Sequence, residues 1–148
     1  MNLEILTLCD AATTSGGGKL NILGAFDVLN VARFPAAHPQ CAIAMRIRFS
    51  RMEEGSHKVV ISFVDEDGKQ IMPEIQGDIH VRVAGEEPSS VTNLVINIHQ
   101  LKIPKPGYYS INFAVDSRHE SSLPLVVREV PTIHPHGDTP PDSGNPQM

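Results

Sequence analysis

The chain has 148 residues, 41% of them apolar and 20% charged, with a formal net charge of −5. That length suits one domain burying roughly two-thirds of the surface its unfolded chain exposes, and the composition is that of a soluble globular fold. The negative balance and the lack of a basic run exclude non-specific binding to nucleic acid or to an anionic membrane surface, and nothing approaches the ~18 consecutive apolar residues of a membrane-spanning helix.

Helical spacing is nearly absent, while apolar residues recur at every second position in short runs, the mark of half-buried strands. Residues 3–8 form a first short strand. After the turn at Ser15, Gly16, Gly17 and Gly18, residues 19–31 read as one long strand bent at Gly24, where a missing side chain permits a bulge or corner. In residues 41–50, Cys41, Ile43, Met45, Ile47 and Phe49 share one face against Arg46, Arg48 and Ser50. Residues 57–65 are apolar on both faces, as in a central strand, and Asp67-Gly68 then supplies a tight turn because Gly tolerates positive φ. Residues 75–83 set Ile79, Val81 and Val83 against Asp78, His80 and Arg82. Leu94, Ile96 and Ile98 alternate with Asn97 and His99, and Tyr109, Ile111, Phe113 and Val115 alternate with Ser110, Asn112 and Asp116. The last strand, residues 123–130, contains Pro124, which has no N–H to give a ladder and so implies an edge open to pairing with another chain.

About eight strands with one wet face each predict an all-β fold, a two-sheet antiparallel sandwich. The expected core is Ile43, Met45, Ile47, Ile61, Phe63, Ile96, Ile98, Ile111 and Phe113. A Pro- and Gly-marked corner precedes Tyr109, which stands where immunoglobulin-like sandwiches carry a tyrosine bonded back to that corner. The antibody version is excluded: there is no Trp, and Ile111 holds the position of the second disulfide cysteine. The domain is expected to span 1–130. Residues 131–148, rich in proline and poor in large apolar side chains, are expected to form a disordered tail because little burial would offset their ordering entropy.

Five segments together resemble a family of uncharacterised bacterial proteins, a domain of unknown function: CDAA at residues 9–12, GKLNILGAFD at 18–27, FPAAHP at 34–39, EGSHKVVISFVDEDGK at 54–69 and PKPGYYSI at 104–111. The resemblance implies a small β-sandwich and carries over no catalytic or ligand-binding residue.

The stretch SGGGKL fails as a phosphate-binding loop, since Thr13 and Leu20 occupy positions that would need Gly and Ser or Thr, and a strand follows where a helix is required. His134, His136 and Asp138 lie in the tail, without the rigid frame a metal site needs. His80 and His99 sit on polar strand faces and read as solvent-exposed. Cys9 and Cys41 read as buried, reduced thiols, and Asp10 beside Cys9 would raise its pKa and blunt it as a nucleophile. If every strand reverses, one end of the sandwich collects Asp10, Glu53, Glu54, Glu86, Glu87, Asp116 and Glu120, candidate ligands for a hard cation such as calcium. The other end collects Arg33, His38, Asp65, Glu66, Asp67, Lys69, Lys102 and Lys105.

With no assembled catalytic set and no cofactor motif, the expectation is a non-enzymatic protein-interaction or assembly module, binding a protein partner or itself. A cation- or small-ligand-binding protein using the acidic end is the alternative. Glu4 stands where a secretory leader would be basic, and with the two unpaired thiols this makes the expected location cytoplasmic.

Overall fold

The structure is a computed structural model that describes residues 1–132. The segment from residue 133, with His134, His136 and Asp138, lies outside the described residues. Nine strands run β1 (Asn2–Ser15), β2 (Lys19–Ala25), β3 (Val28–Val31), β4 (Ala36–Ser50), β5 (Gly55–Val64), β6 (Ile75–Val81), β7 (Ser89–Ile103), β8 (Gly107–Val115) and β9 (Arg118–Glu129), with one 3₁₀ turn at Arg51–Glu53. They form two sheets, ordered β2-β1-β4-β7 and β3-β9-β8-β5-β6. All pairs are antiparallel except β3 with β9, which is parallel.

The alternation seen in the sequence builds the core. Cys41, Ile43, Met45, Ile47 and Phe49 of β4 are fully buried against Val59, Ile61 and Phe63 of β5 and Ile111, Phe113 and Val115 of β8. Each such aliphatic or aromatic side chain contributes about 1.5–3 kcal/mol through burial. Of the expected core only Ile96 is half-buried, because β7 is a sheet edge and Ile96 lines a side groove between the sheets. Further along β7, Gln100 takes a left-handed conformation (φ 53°) and shifts the alternation by one residue. Leu101 and Ile103 therefore turn inward after Ile98.

The arrangement is immunoglobulin-like: β1-β4-β7 correspond to strands A, B and E, and β5-β8-β9 to C, F and G, with β6 added beyond C. The corner tyrosine is where the sequence placed it. Tyr109 is 4% exposed and its hydroxyl donates to the Lys105 carbonyl at 2.6 Å, whereas Tyr108 is 66% exposed on the other face.

Two expectations are corrected. Residues 19–31 are two strands in different sheets: β2 ends at Ala25, and the chain crosses over Phe26 and Asp27, whose backbone bonds to Leu8 in one sheet and Val126 in the other. Gly24 does bend β2, with φ +66°, and a side chain there would run into the Asp10 carboxylate. Nor is residues 123–130 a free edge. β3 pairs along Val126, Val127, Arg128 and Glu129, so this strand lies inside its sheet. Val126 points its N–H at Asp27 of the β3 approach, so Pro124, two residues earlier, faces the same side beyond β3's reach, where no donor is needed.

The first strand is also longer than expected. Past Cys9 it leaves β4 and forms a hairpin with β2 that folds back over the outer face of its own sheet. The tip carbonyl of Gly18 accepts from Asn93 Nδ2 of β7 at 2.8 Å. Ala12, Leu20 and Val95 pack there over Cys9, Ala42 and Ala44, which are fully buried although two of them are outward-facing alanines. Small side chains at Ala42 and Ala44 let the hairpin lie close.

Candidate functional site

Six of the seven acidic-end candidates stand at one end of the sandwich, and Asp10 does not. Glu53 and Glu54 sit at the β4–β5 connection, Glu86 and Glu87 between β6 and β7, and Asp116 and Glu120 at the β8–β9 hairpin. Asp10 lies mid-strand at the bend opposite Gly24, next to Cys9, which pairs with Ala42, and the loop that follows β1 folds back to Asn93 of β7. The Glu53 carboxylate closes the 3₁₀ turn by accepting from Ser50 N (2.8 Å) and Oγ (3.0 Å), and it pairs with the Met1 ammonium. Those contacts, the ammonium first, hold its pKa down to about 2. Glu54 accepts the Val83 N–H at 2.7 Å. Asp116 accepts from the Lys58 N–H at 3.0 Å and contacts His57 Nδ1 at 2.7 Å, which together lower its pKa. The other ring nitrogen of His57 is 2.6 Å from the Glu53 carbonyl, and the ring stacks on Phe49. The Glu53 carbonyl and Asp116 both favour the imidazolium and raise the His57 pKa. The carboxylates nearest the centre are thus spent on bracing the loops. Among the described residues, no three His, Cys, Asp or Glu side chains gather closely enough to hold a metal ion.

At the opposite end Asp65, Asp67, Lys69, Lys102 and Lys105 meet around an open cleft of about 870 Å³. Pro35, Ala36, Ile71, Ile103 and Pro104 line its apolar part. Asp65 Oδ1 organises the Asp67-Gly68 turn by accepting from the N–H groups of Asp67 (3.0 Å) and Lys69 (2.9 Å). None of the three lysines has an ion-pair partner among the described residues.

The outer faces carry polar networks. On one sheet Glu4 bridges Arg46 (2.9 Å) and Arg48 (2.5 Å), and Arg46 reaches Asn93. Arg46 and Arg48 on β4 are not neighbours of His80 on β6, because those strands belong to different sheets. On the other sheet Asn112 accepts from Ser110 (3.0 Å) and Ser122 (2.7 Å), and His119 Nε2 lies 2.7 Å from Ser122 Oγ. This serine–histidine pair escaped the sequence reading because residues three apart on a regular strand face opposite sides, and the bulge at Glu120, where Ala114 pairs with His119 and Phe113 with Ser121, brings them to one face. A nucleophile needs its base oriented by a third group; among the described residues His119 Nδ1 has no such partner, and both residues are exposed. Cys9 and Cys41 are buried, and burial raises both thiol pKa values, that of Cys41 to about 11.

Four strand edges border the sheets: β2, β3, β6 and β7. The β3 edge is short, β2 is bent at Gly24, and β6 carries Gly77, Asp78 and His80. β7 is different. It has fifteen residues, with no Asp, Glu, Lys, Arg, Gly or Pro from 89 to 101, and its outward backbone groups have no protein partner among the described residues. The sequence signal for this edge was the long uncharged stretch, but an uncharged strand reads the same at the centre of a sheet.

Fold and surface together define an immunoglobulin-like β-sandwich with a covering hairpin, a braced acidic end and one long bare edge. The chain belongs to a family of unknown function, DUF6941, whose model matches residues 4–128. No curated protein matches it. No helix among the described residues is long and apolar enough to cross a membrane.

Proposed function

We propose that this domain is a cytoplasmic, non-catalytic interaction module that binds protein by strand addition along β7. The observation that carries the reading is the bare β7 edge. Natural sheets blunt exposed edges with charges, prolines, bulges or short strands, because unpaired N–H and C=O groups are a template for another chain. Main-chain bonds along such an edge supply affinity, and pockets for alternate side chains supply specificity. Leu94 and Ile96 are half-buried at the mouth of an apolar groove between β6 and β7, where an added strand could seat its own side chains. The loop of Ile71, Met72 and Pro73 lies against residues 98–102, so the accessible stretch is residues 89–97. The fully buried, unpaired thiols fit a reducing compartment.

Amide hydrogen exchange tests this reading on the intact chain, measured dilute, concentrated, and bound to protein recovered from its native cell. New protection confined to β7 supports it. Protection appearing only on other strands, or nowhere in any of these states, overturns it.

Small-ligand binding is the second reading, supported at the lysine end and not at the acidic end. The cleft there holds about 870 Å³, and its three lysines, without ion-pair partners among the described residues, suit an anion with an apolar body. A melting-temperature titration with phenyl phosphate tests it, and a null result there together with Lys102→Gln melting normally would remove it.

A further inference from the structure

The ends of β7 carry opposite charge. Glu86 and Glu87 precede it in the β6–β7 loop, and Lys102 and Lys105 stand at its far end and in the corner beyond. All four are exposed, and none has an ion-pair partner among the described residues. Arg51, the nearest cation to the glutamates by contact, spends its guanidinium on the Gly85 and Glu87 backbone carbonyls. Between the two ends nothing is charged that would repel an identical strand.

We infer that the strand added to β7 is β7 of a second copy, antiparallel, in a two-fold dimer that joins two four-stranded sheets into one. This rests on the strand-addition reading and names its partner. A two-fold pairing is isologous, so whatever one copy offers must complement itself. With the axis near Leu94, residues 91–97 of the accessible stretch pair with one another, and Glu86 of one copy falls opposite Lys102 of the other. That register puts acid against base at both ends, with Glu87 and Lys105 nearby. A parallel pairing would set Glu86 and Glu87 against their own copies and the lysines against theirs, which costs where like charges meet. The apolar groove mouths at Leu94 and Ile96 lie at the centre of the two-fold pairing, where each strand would cover the other's half-buried side chains.

The test is light scattering after size exclusion over a concentration series, on three full-length proteins. These are the wild type, the all-basic variant Glu86→Lys with Glu87→Lys, and the all-acidic variant Lys102→Glu with Lys105→Glu. The wild type is expected to dimerise, and each variant alone about ten-fold more weakly, because both ends of its homodimer then repel. Mixing the two variants restores wild-type affinity, since each end again joins opposite charges, and added salt narrows all these differences. A monomeric wild type at every concentration overturns the self-pairing, as does a wild type that associates no better than either variant. In either case β7 amides protected by a different protein would leave the strand-addition reading standing.

Discussion

Removing one hydroxyl tests the register of the whole second sheet. In Tyr109→Phe the ring stays 4% exposed in the same cage, so no cavity opens and the change isolates the bond to the Lys105 carbonyl at 2.6 Å. A net intramolecular hydrogen bond contributes roughly 0.5–1.5 kcal/mol. Lys105 lies on an exposed corner, so water can serve its carbonyl once the phenol is gone, and a loss of about 1 kcal/mol is expected. For a domain of this size that is about 2–4 °C in melting temperature. Tyr108→Phe is the control: that side chain is 66% exposed, its hydroxyl bonds nothing among the described residues, and the change should stay within about 0.5 kcal/mol. The chain has no Trp and only these two Tyr residues, so far-ultraviolet circular dichroism in urea is the suitable probe. The midpoint should fall for Tyr109→Phe with an unchanged slope, which marks a stability change and not a change in compactness. Equal responses from the two variants, or no response from Tyr109→Phe, would refute the corner argument.

Gly24→Ala should cost about 1–2 kcal/mol from its left-handed backbone alone, and adding Asp10→Ala should relieve the clash but recover only part of the loss; full recovery in urea melts would show the backbone is not strained. His57→Gln should have a pH-dependent deficit. The raised His57 pKa makes its contribution complete below its ordinary 6.5 and lost as pH climbs through the higher folded value, while the lowered Asp116 pKa makes that contribution complete above 3.8 and lost as pH falls through the lower one. The gap to wild type in melting temperature should therefore be widest between about pH 4 and 6.5, and a gap that widens toward about pH 9 would contradict the pairing. Phe113→Ala, which empties a fully buried site, should cost about 3–5 kcal/mol in the same melts, and a loss under about 1 kcal/mol would mean the two sheets do not meet there. Cys9 and Cys41 should resist a thiol reagent at neutral pH until the protein unfolds, and prompt labelling of either in the native state would show that its burial is only transient.

Period-two alternation determined from the sequence alone which side chains of residues 41–50 and 109–115 face inward, because a strand's geometry fixes its faces without reference to its neighbours. Turn chemistry was equally local: the bend at Gly24, the Asp67-Gly68 turn and the Tyr109 corner were all legible, each depending on a few adjacent residues. Strand partners were not. β3 has four residues and follows β2 by two, too little sequence to separate it from a continuing strand, yet its crossing to the other sheet closes the edge that Pro124 had suggested was open. The unbroken length of β1 holds Asp10 mid-strand, away from the acidic end. The hairpin over Ala42 and Ala44 and the bare edge of β7 likewise come from contacts between residues far apart in the chain. Alternation tells how a strand is wetted above and below, and only the tertiary structure decides what lies beside it, since the backbone groups that pair strands are the same in every residue but proline.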